Sequence, residues 1–317
     1  MKTSVSALFL FSLFLLACWN AQGQNASQKV QAGRNEKSIT INDGTKLSYF
    51  VEGTGSPIVV VTEGELLANA ISNDLKKYFK FIFINARMNV VDPGDINKIT
   101  FNVLVDDVEQ IRKALNLDKV SVLGHSVSGL IALEYARKYP EHTTHVIMNG
   151  TPPYSEDRMA PICRQYWETN ASNERKEMWN KNWHGISRDS LDKLGTSETG
   201  KLLYILDGPQ CFYDYNFTAS SLLKNVYWNM KVWNQIFKKL LINYEISKGK
   251  PINSPVFLAL GKSDYLVPYT IWDDQKSKIP NLTCHIFEKS GHYSFFEEEE
   301  LFRKEILEWF ENTKEKK

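Results

Sequence analysis

The sequence predicts an α/β fold: a doubly wound, mostly parallel sheet with an inserted helical cap. Three observations carry that expectation. Short continuous apolar runs recur along the chain, as in strands buried on both faces. Between them lie segments with apolar residues at helical spacing, and this alternation is how parallel sheets are connected. The alternation lapses after Pro152-Pro153 and resumes after Pro251, leaving a tryptophan-rich interval of helical pattern.

Lys2 precedes an apolar run from Val5 to Ala17 and then small and polar residues, the layout of an export signal. The run is short for a bilayer span. Ala21-Gln22-Gly23 fits a cleavage site, giving a signal peptide over 1–23. Leu15-Leu16-Ala17-Cys18 is similar to a bacterial lipobox, and a lipid anchor on Cys18 is the alternative. Residues 24–37 are polar and without period, so a flexible leader is expected. Next, Ser38 to Ile41 and Lys46 to Val51 alternate around Asn42-Asp43-Gly44, a hairpin signature.

Buried strands are then expected at Pro57 to Val61 and Phe81 to Ile84, and further strands at Val120 to Leu123, His145 to Met148, Val256 to Leu260 and Leu282 to Phe287. Helices are expected near 66–78, 100–117, 130–136, 271–278 and 297–310. The resulting division is a core of 38–153 and 251–312 around a cap of 154–250.

The 317 residues are 43% hydrophobic and 24% charged, with a net charge of +1. A near-neutral chain without a long basic tract gives no electrostatic support for a nucleic-acid partner. No H-E-x-x-H pattern or zinc-like Cys/His spacing is present, and no glycine loop has phosphate-cradling spacing. Neither metal nor cofactor is expected. Beyond the signal peptide three cysteines remain. Cys163 with Cys211 is the disulfide to test in an exported chain, against three separate thiols.

The chemistry centres on Val120-Ser121-Val122-Leu123-Gly124-His125-Ser126-Val127-Ser128-Gly129. A strand run breaks into small residues and continues as a helix pattern. This suits a nucleophile elbow, whose tight turn lifts a serine Oγ clear of the sheet. Ser128 stands where a second glycine is usual, and a Gly/Ser-rich helix cap fits the short motif equally well. Nucleophilic serine needs a base and an acid that orients it. Asp264 follows one later strand and His292 follows the last, so Ser126, Asp264 and His292 fall in the chain order expected of an elbow serine. Singly, Asp264 reads as a helix cap and His292 as a loop histidine. His125 reads as a packing residue.

On these residues, with Asp43-Gly44-Thr45-Lys46-Leu47, the Thr100–Asp107 stretch, Gly261-x-x-Asp264-x-x-x-Pro268 and Gly291-His292, the chain resembles α/β-hydrolases, and more narrowly the proline iminopeptidase branch. The resemblance implies a serine hydrolase acting on short peptides or small molecules. The alternatives are a carboxylesterase and a non-catalytic binding protein on the same fold. Such enzymes usually carry His-Gly and further glycines after the third strand, where this chain has Thr62-Glu63-Gly64-Glu65. The resemblance assigns the oxyanion hole to the amides of Gly64 and Val127, each donor worth about 2.7–4 kcal/mol in the transition state. Glu63 and Glu65 either face the pocket, where they would bind a substrate ammonium, or lie exposed or paired with Lys76 or Arg87. The second arrangement is commoner for carboxylates and is the expectation here. In the cap, Trp228 is a candidate pocket residue, and Asp207 and Asp214 are the acids to test for ammonium binding. Most of the cap aromatics are expected in its core.

Overall fold

A computed structural model of the chain describes residues 34–313. The expected signal peptide, the Cys18 anchor and most of the polar leader lie outside the described residues. Eight strands form one sheet: β1 (Lys37–Thr40), β2 (Lys46–Gly53), β3 (Ser56–Val60), β4 (Phe79–Asn85), β5 (Val120–His125), β6 (Thr143–Asn149), β7 (Val256–Gly261) and β8 (Leu282–Phe287). Their order is β1-β2-β4-β3-β5-β6-β7-β8. The β1–β2 hairpin and its pairing with β4 are antiparallel; every later pairing is parallel.

The apolar runs divide by residue parity, as a strand's two-residue period requires. Val59, Ile82, Ile84, Val122, Met148 and Leu258 face one core. It is covered by helices α2 (Phe101–Ala114) and α3 (Ser128–Lys138), which follow α1 (Gly64–Ala70) in the chain. Ile58, Val60, Phe81, Phe83, Leu123, Ile147 and Phe257 face the other core, with Leu66 and Leu67 of α1. Thr100 caps α2, its Oγ1 accepting the Val103 N–H at 3.2 Å.

Between β6 and β7 the described residues hold no strand of the sheet. Their helices are α4 (Glu156–Asn170), α5 (Asn173–Asn182), α6 (Arg188–Leu194), α7 (Ser197–Leu206), α8 (Gly208–Cys211) and α9 (Met230–Gln235). A bridge between Tyr154 and Glu245 closes the base of this insert. The chain ends in α10 (Ser294–Glu297) and α11 (Glu299–Asn312), whose Phe302, Ile306 and Trp309 join the second core. No helix among the described residues is long and apolar enough to cross a membrane.

Two expected helices are shorter or absent. The segment over 66–78 is α1 followed by a 3-10 turn at Leu75–Lys77. Ser72 breaks it by accepting the Leu75 N–H on its Oγ, a local bond that competes with the helix. Residues 271–278 hold only the 3-10 turns Tyr269–Trp272 and Lys276–Lys278. Here tertiary bonds override periodicity: Trp272 Nε1 donates to the Thr151 carbonyl at 2.7 Å, and Gln275 Nε2 to the Tyr154 hydroxyl at 2.9 Å. Cys163, Cys211 and Cys284 are all free thiols, so the Cys163–Cys211 disulfide is not formed.

Candidate active site

The carboxyl ends of β5, β6 and β7, the residues after β8 and the start of α1 converge on one site. After β5, Ser126 takes the left-handed conformation with φ 52°. A side chain there is strained, and the turn persists because its surroundings fix it. The Ser126 N–H donates to the Asn149 carbonyl at the end of β6, at 2.8 Å. A β-carbon on Gly124 would be driven into the Ser128 carbonyl, and one on Gly129 into Thr151. Small residues are therefore required on both sides of the serine. Gly124→Ala is expected to cost about 1–3 kcal/mol of stability through overpacking, read as a shift in the urea unfolding midpoint.

Asp264 and His292 meet in the interior. Asp264 Oδ2 accepts from His292 Nδ1 at 2.6 Å, and both residues are buried. The other carboxylate oxygen, Oδ1, accepts the backbone N–H groups of Leu266 and Val267 at 2.9 and 2.8 Å. This aspartate therefore has a full set of donors and a fixed orientation. Nδ1–H directed at a carboxylate leaves Nε2 of the imidazole as the free basic nitrogen.

Asn149 and Gly150, which sequence reasoning did not name, hold the histidine together with His125 and Cys211. Its carbonyl accepts from Asn149 Nδ2 at 2.7 Å and lies 3.1 Å from His125 Nε2, and its N–H donates to the Cys211 carbonyl at 2.6 Å. Gly150, at φ 56°, lets the backbone pass close: a β-carbon there would stand 2.8 Å from His292 Nδ1. The signal available was an Asn-Gly pair ending a buried strand. His125 packs against His292 and Tyr293 at ring distances of 4.6 and 4.1 Å. Burial pushes its pKa well below the usual value, so it is a neutral packing group.

The turn after β3 is built differently from its expectation. Glu63 is neither exposed nor paired with Lys76 or Arg87. It is 6% exposed, and its backbone is left-handed at φ 57° and ψ 38°. Lys76 pairs instead with Glu52, and Arg87 with Asp107 and Asp43. The Glu63 N–H donates to Asn89 Oδ1 at 2.9 Å and the Glu65 N–H to Asn85 Oδ1 at 3.3 Å, so two asparagines hold the turn. Glu65 itself is partly exposed. Gly64 opens α1 and Val127 caps α3, positions whose N–H groups no intrahelical carbonyl reaches.

The Glu63 side chain enters the site. Its Oε2 lies 3.5 Å from Ser128 Oγ. Burial is the largest influence and raises its pKa to about 7, while the Trp228 indole, the His292 ring and Ser128 pull it back down. Around it stand Trp228, Tyr204 and Tyr293, with Tyr204 centroids 5.7 and 5.9 Å from those of Trp228 and Tyr293. The buried Trp228 Nε1 is turned toward the Glu63 carboxylate, and the buried Tyr204 Oη toward Tyr293.

Two acids of the insert are occupied elsewhere. Asp207 accepts the indole N–H groups of Trp179 and Trp183 at 3.2 and 3.0 Å and pairs with Arg188 at 2.5 Å. Asp214 is exposed and accepts the Asn216 N–H at 3.0 Å within its own turn. The polar contacts of Asp207 and Asp214 lie within the insert, and none reaches Ser126, Asp264 or His292.

A strained serine between a parallel strand and a helix, in a sheet of this order, defines the class: residues 68–299 match the α/β hydrolase fold family, and the chain belongs to it. It is 30% identical over 278 residues to the AB hydrolase superfamily protein YclE of Bacillus subtilis, covering 86% of this chain and 98% of that protein. It is also similar to the proline iminopeptidase PfmaB of Pestalotiopsis fici, at 23% identity over 84% of this chain and 96% of that one. Among solved structures, the esterase EaEST of Exiguobacterium antarcticum shares the fold with a TM-score of 0.59 and 16% identity, covering 87% of this chain and 99% of that chain.

Proposed function

We propose that this chain is an exported serine hydrolase cleaving an amide or ester bond by acyl transfer, with short peptides bearing a free amino terminus as its favoured substrates. The observation that carries the reading is the buried Asp264–His292 pair beside a left-handed Ser126. In this mechanism Ser126 Oγ attacks the carbonyl carbon while His292 Nε2 takes its proton. Asp264 holds the imidazole by Nδ1 and stabilises the positive ring. The Gly64 and Val127 amides receive the oxyanion. Collapse of the tetrahedral intermediate returns the proton to the leaving group, and water then releases the acyl group by the same steps in reverse.

Glu63 favours the peptidase over the esterase. A buried carboxylate with no Lys or Arg ion pair among the described residues is costly unless its ligand supplies the cation. An ammonium seated among Glu63, Trp228 and Tyr204 would gain both charge pairing and aromatic faces. The helical insert would then act as a cap over the substrate. Export rests on Lys2 and the apolar run that follows, and cleavage after Gly23 and lipidation of Cys18 are its two forms.

A fluorophosphonate probe tests the enzyme reading. Wild type is expected to label and Ser126→Ala to remain unlabelled; folded protein without Ser126-dependent labelling overturns it. Release of a proline-linked chromophore, compared with hydrolysis of a short-chain ester, then chooses between peptidase and esterase.

A further inference from the structure

A buried cation in the insert stands opposite the loop that carries His292. Arg175, in the first turn of α5, is 6% exposed and forms no ion pair with a carboxylate among the described residues. Its guanidinium donates instead to three backbone carbonyls: Nη1 to Pro209 and Phe212, and Nη2 to Tyr213, each at 2.6 Å. The rings of Tyr215 and Tyr265 flank it, each centroid 5.2 Å from the guanidinium carbon. Five donors in a rigid planar fork suit this task, and a lysine ammonium cannot reproduce it.

The three carbonyls belong to one strap, residues 208–213, whose other edge touches both loops of the proposed triad. The Gln210 carbonyl accepts the Tyr265 N–H, one residue past Asp264, at 3.1 Å. The Cys211 carbonyl accepts the His292 N–H at 2.6 Å. Glu297 bridges the remainder, its two oxygens accepting the N–H groups of Tyr213 and Gly291 at 2.6 and 2.7 Å. Gly291 has no room for a side chain, since its β-carbon would overlap the Cys211 carbonyl. A displacement of the strap is therefore transmitted to the backbone of His292.

We infer that Arg175 is a positioning residue: by clamping the 208–213 strap from the insert side, it sets the backbone of His292 and so couples the insert to the catalytic base. The inference rests on the reading of Ser126, Asp264 and His292 as a triad. Loose positioning of a reacting group by about 1 Å costs on the order of 100-fold in rate, and Arg175→Met is expected to lower kcat on an activated ester by about 10–100-fold with KM changed less than about threefold. The far-downfield proton resonance of the His292 Nδ1–H to Asp264 bond is expected to broaden or vanish. Arg175→Lys, which keeps the charge and loses the fork, is expected to fall between wild type and Arg175→Met in both readouts. Arg158→Met removes half-exposed ion pairs of the same insert, to Glu245 and Asp274 and not to the strap, and is expected to leave kcat and the resonance unchanged.

If Arg175→Met does not fold, Arg175→Lys decides alone. Wild-type kcat with an intact resonance in a folded Arg175 variant overturns the inference, as does an equal loss in Arg158→Met. Failure of wild type to label at Ser126 is a different outcome, and it overturns the triad reading instead.

Discussion

His292→Ala is expected to lower turnover of an activated ester by about 10⁶-fold and Asp264→Asn by about 10⁴-fold, the scale seen when a base or its orienting acid is removed from a serine triad. The structure gives the aspartate substitution a specific route. Asp264 Oδ1 accepts two backbone N–H groups, from Leu266 and Val267. An asparagine placed there must keep its carbonyl oxygen toward those donors, because turning its amide nitrogen toward them would leave two buried N–H groups unpaired. Its NH₂ then faces His292 Nδ1, and a donor at that position forces the proton onto Nε2. Nε2 is the nitrogen that must be free to accept the Ser126 proton. The variant should fold, since the side chain keeps its shape and its backbone partners, and its loss should be in kcat rather than KM. Steady-state kinetics with a chromogenic ester, alongside far-UV circular dichroism, measures both. Asp264→Asn retaining more than a tenth of wild-type kcat would remove Asp264 from the mechanism.

The sheet was legible because its signal is redundant. The central strands β3, β4, β6 and β7 each carry a continuous apolar run, and a single ambiguous residue changes nothing. Leu282 to Phe287 could be read to its exact ends, as β8 occupies those same residues. The replacement of the expected 271–278 helix by 3-10 turns was not legible, because Trp272 and Gln275 are held by Thr151 and Tyr154, about 120 residues away in the chain. Ser126, Asp264 and His292 could be named because chain order and strand ends constrain all three together. Glu63 could not be placed from sequence. Whether a carboxylate beside a turn faces water or the interior depends on one backbone conformation, and Glu63 adopts a left-handed one that residues other than glycine seldom take. Arg175 gave still less signal, since its partners are carbonyls, which every residue has.

Glu63→Gln is expected to reverse the preference for amino-terminal substrates and to stabilise the protein in a pH-dependent way. The stability effect follows from burial alone. The carboxyl titrates at about 7 in the folded chain against 4.5 for the free group. A raised carboxyl pKa means that the folded state holds its proton where the unfolded state has released it. The associated stability is fully present below pH 4.5 and is lost as pH rises through 7. At pH 8 the anion therefore costs wild type on the order of 3 kcal/mol, a penalty the neutral glutamine never meets. Asp107 and Glu297 also titrate high, at about 6 and about 7, but they are common to both proteins and cancel in the difference. Urea midpoints of wild type and Glu63→Gln should coincide near pH 4.5 and separate progressively by pH 8, with the variant more stable. The functional effect runs in the opposite direction. An ammonium needs the anion, so kcat/KM for a free-amine substrate should climb through pH 7 in wild type more steeply than for its N-acetyl analogue. In Glu63→Gln the free-amine substrate should lose about 10–100-fold, the scale of a charged hydrogen bond of 1.5–3 kcal/mol, while the N-acetyl analogue loses little. Equal losses on both substrates would assign Glu63 to holding the turn and not to reading the amine. A variant less stable than wild type at pH 8 would show that the carboxylate is compensated in the free protein, which would remove the reason to expect a cationic ligand.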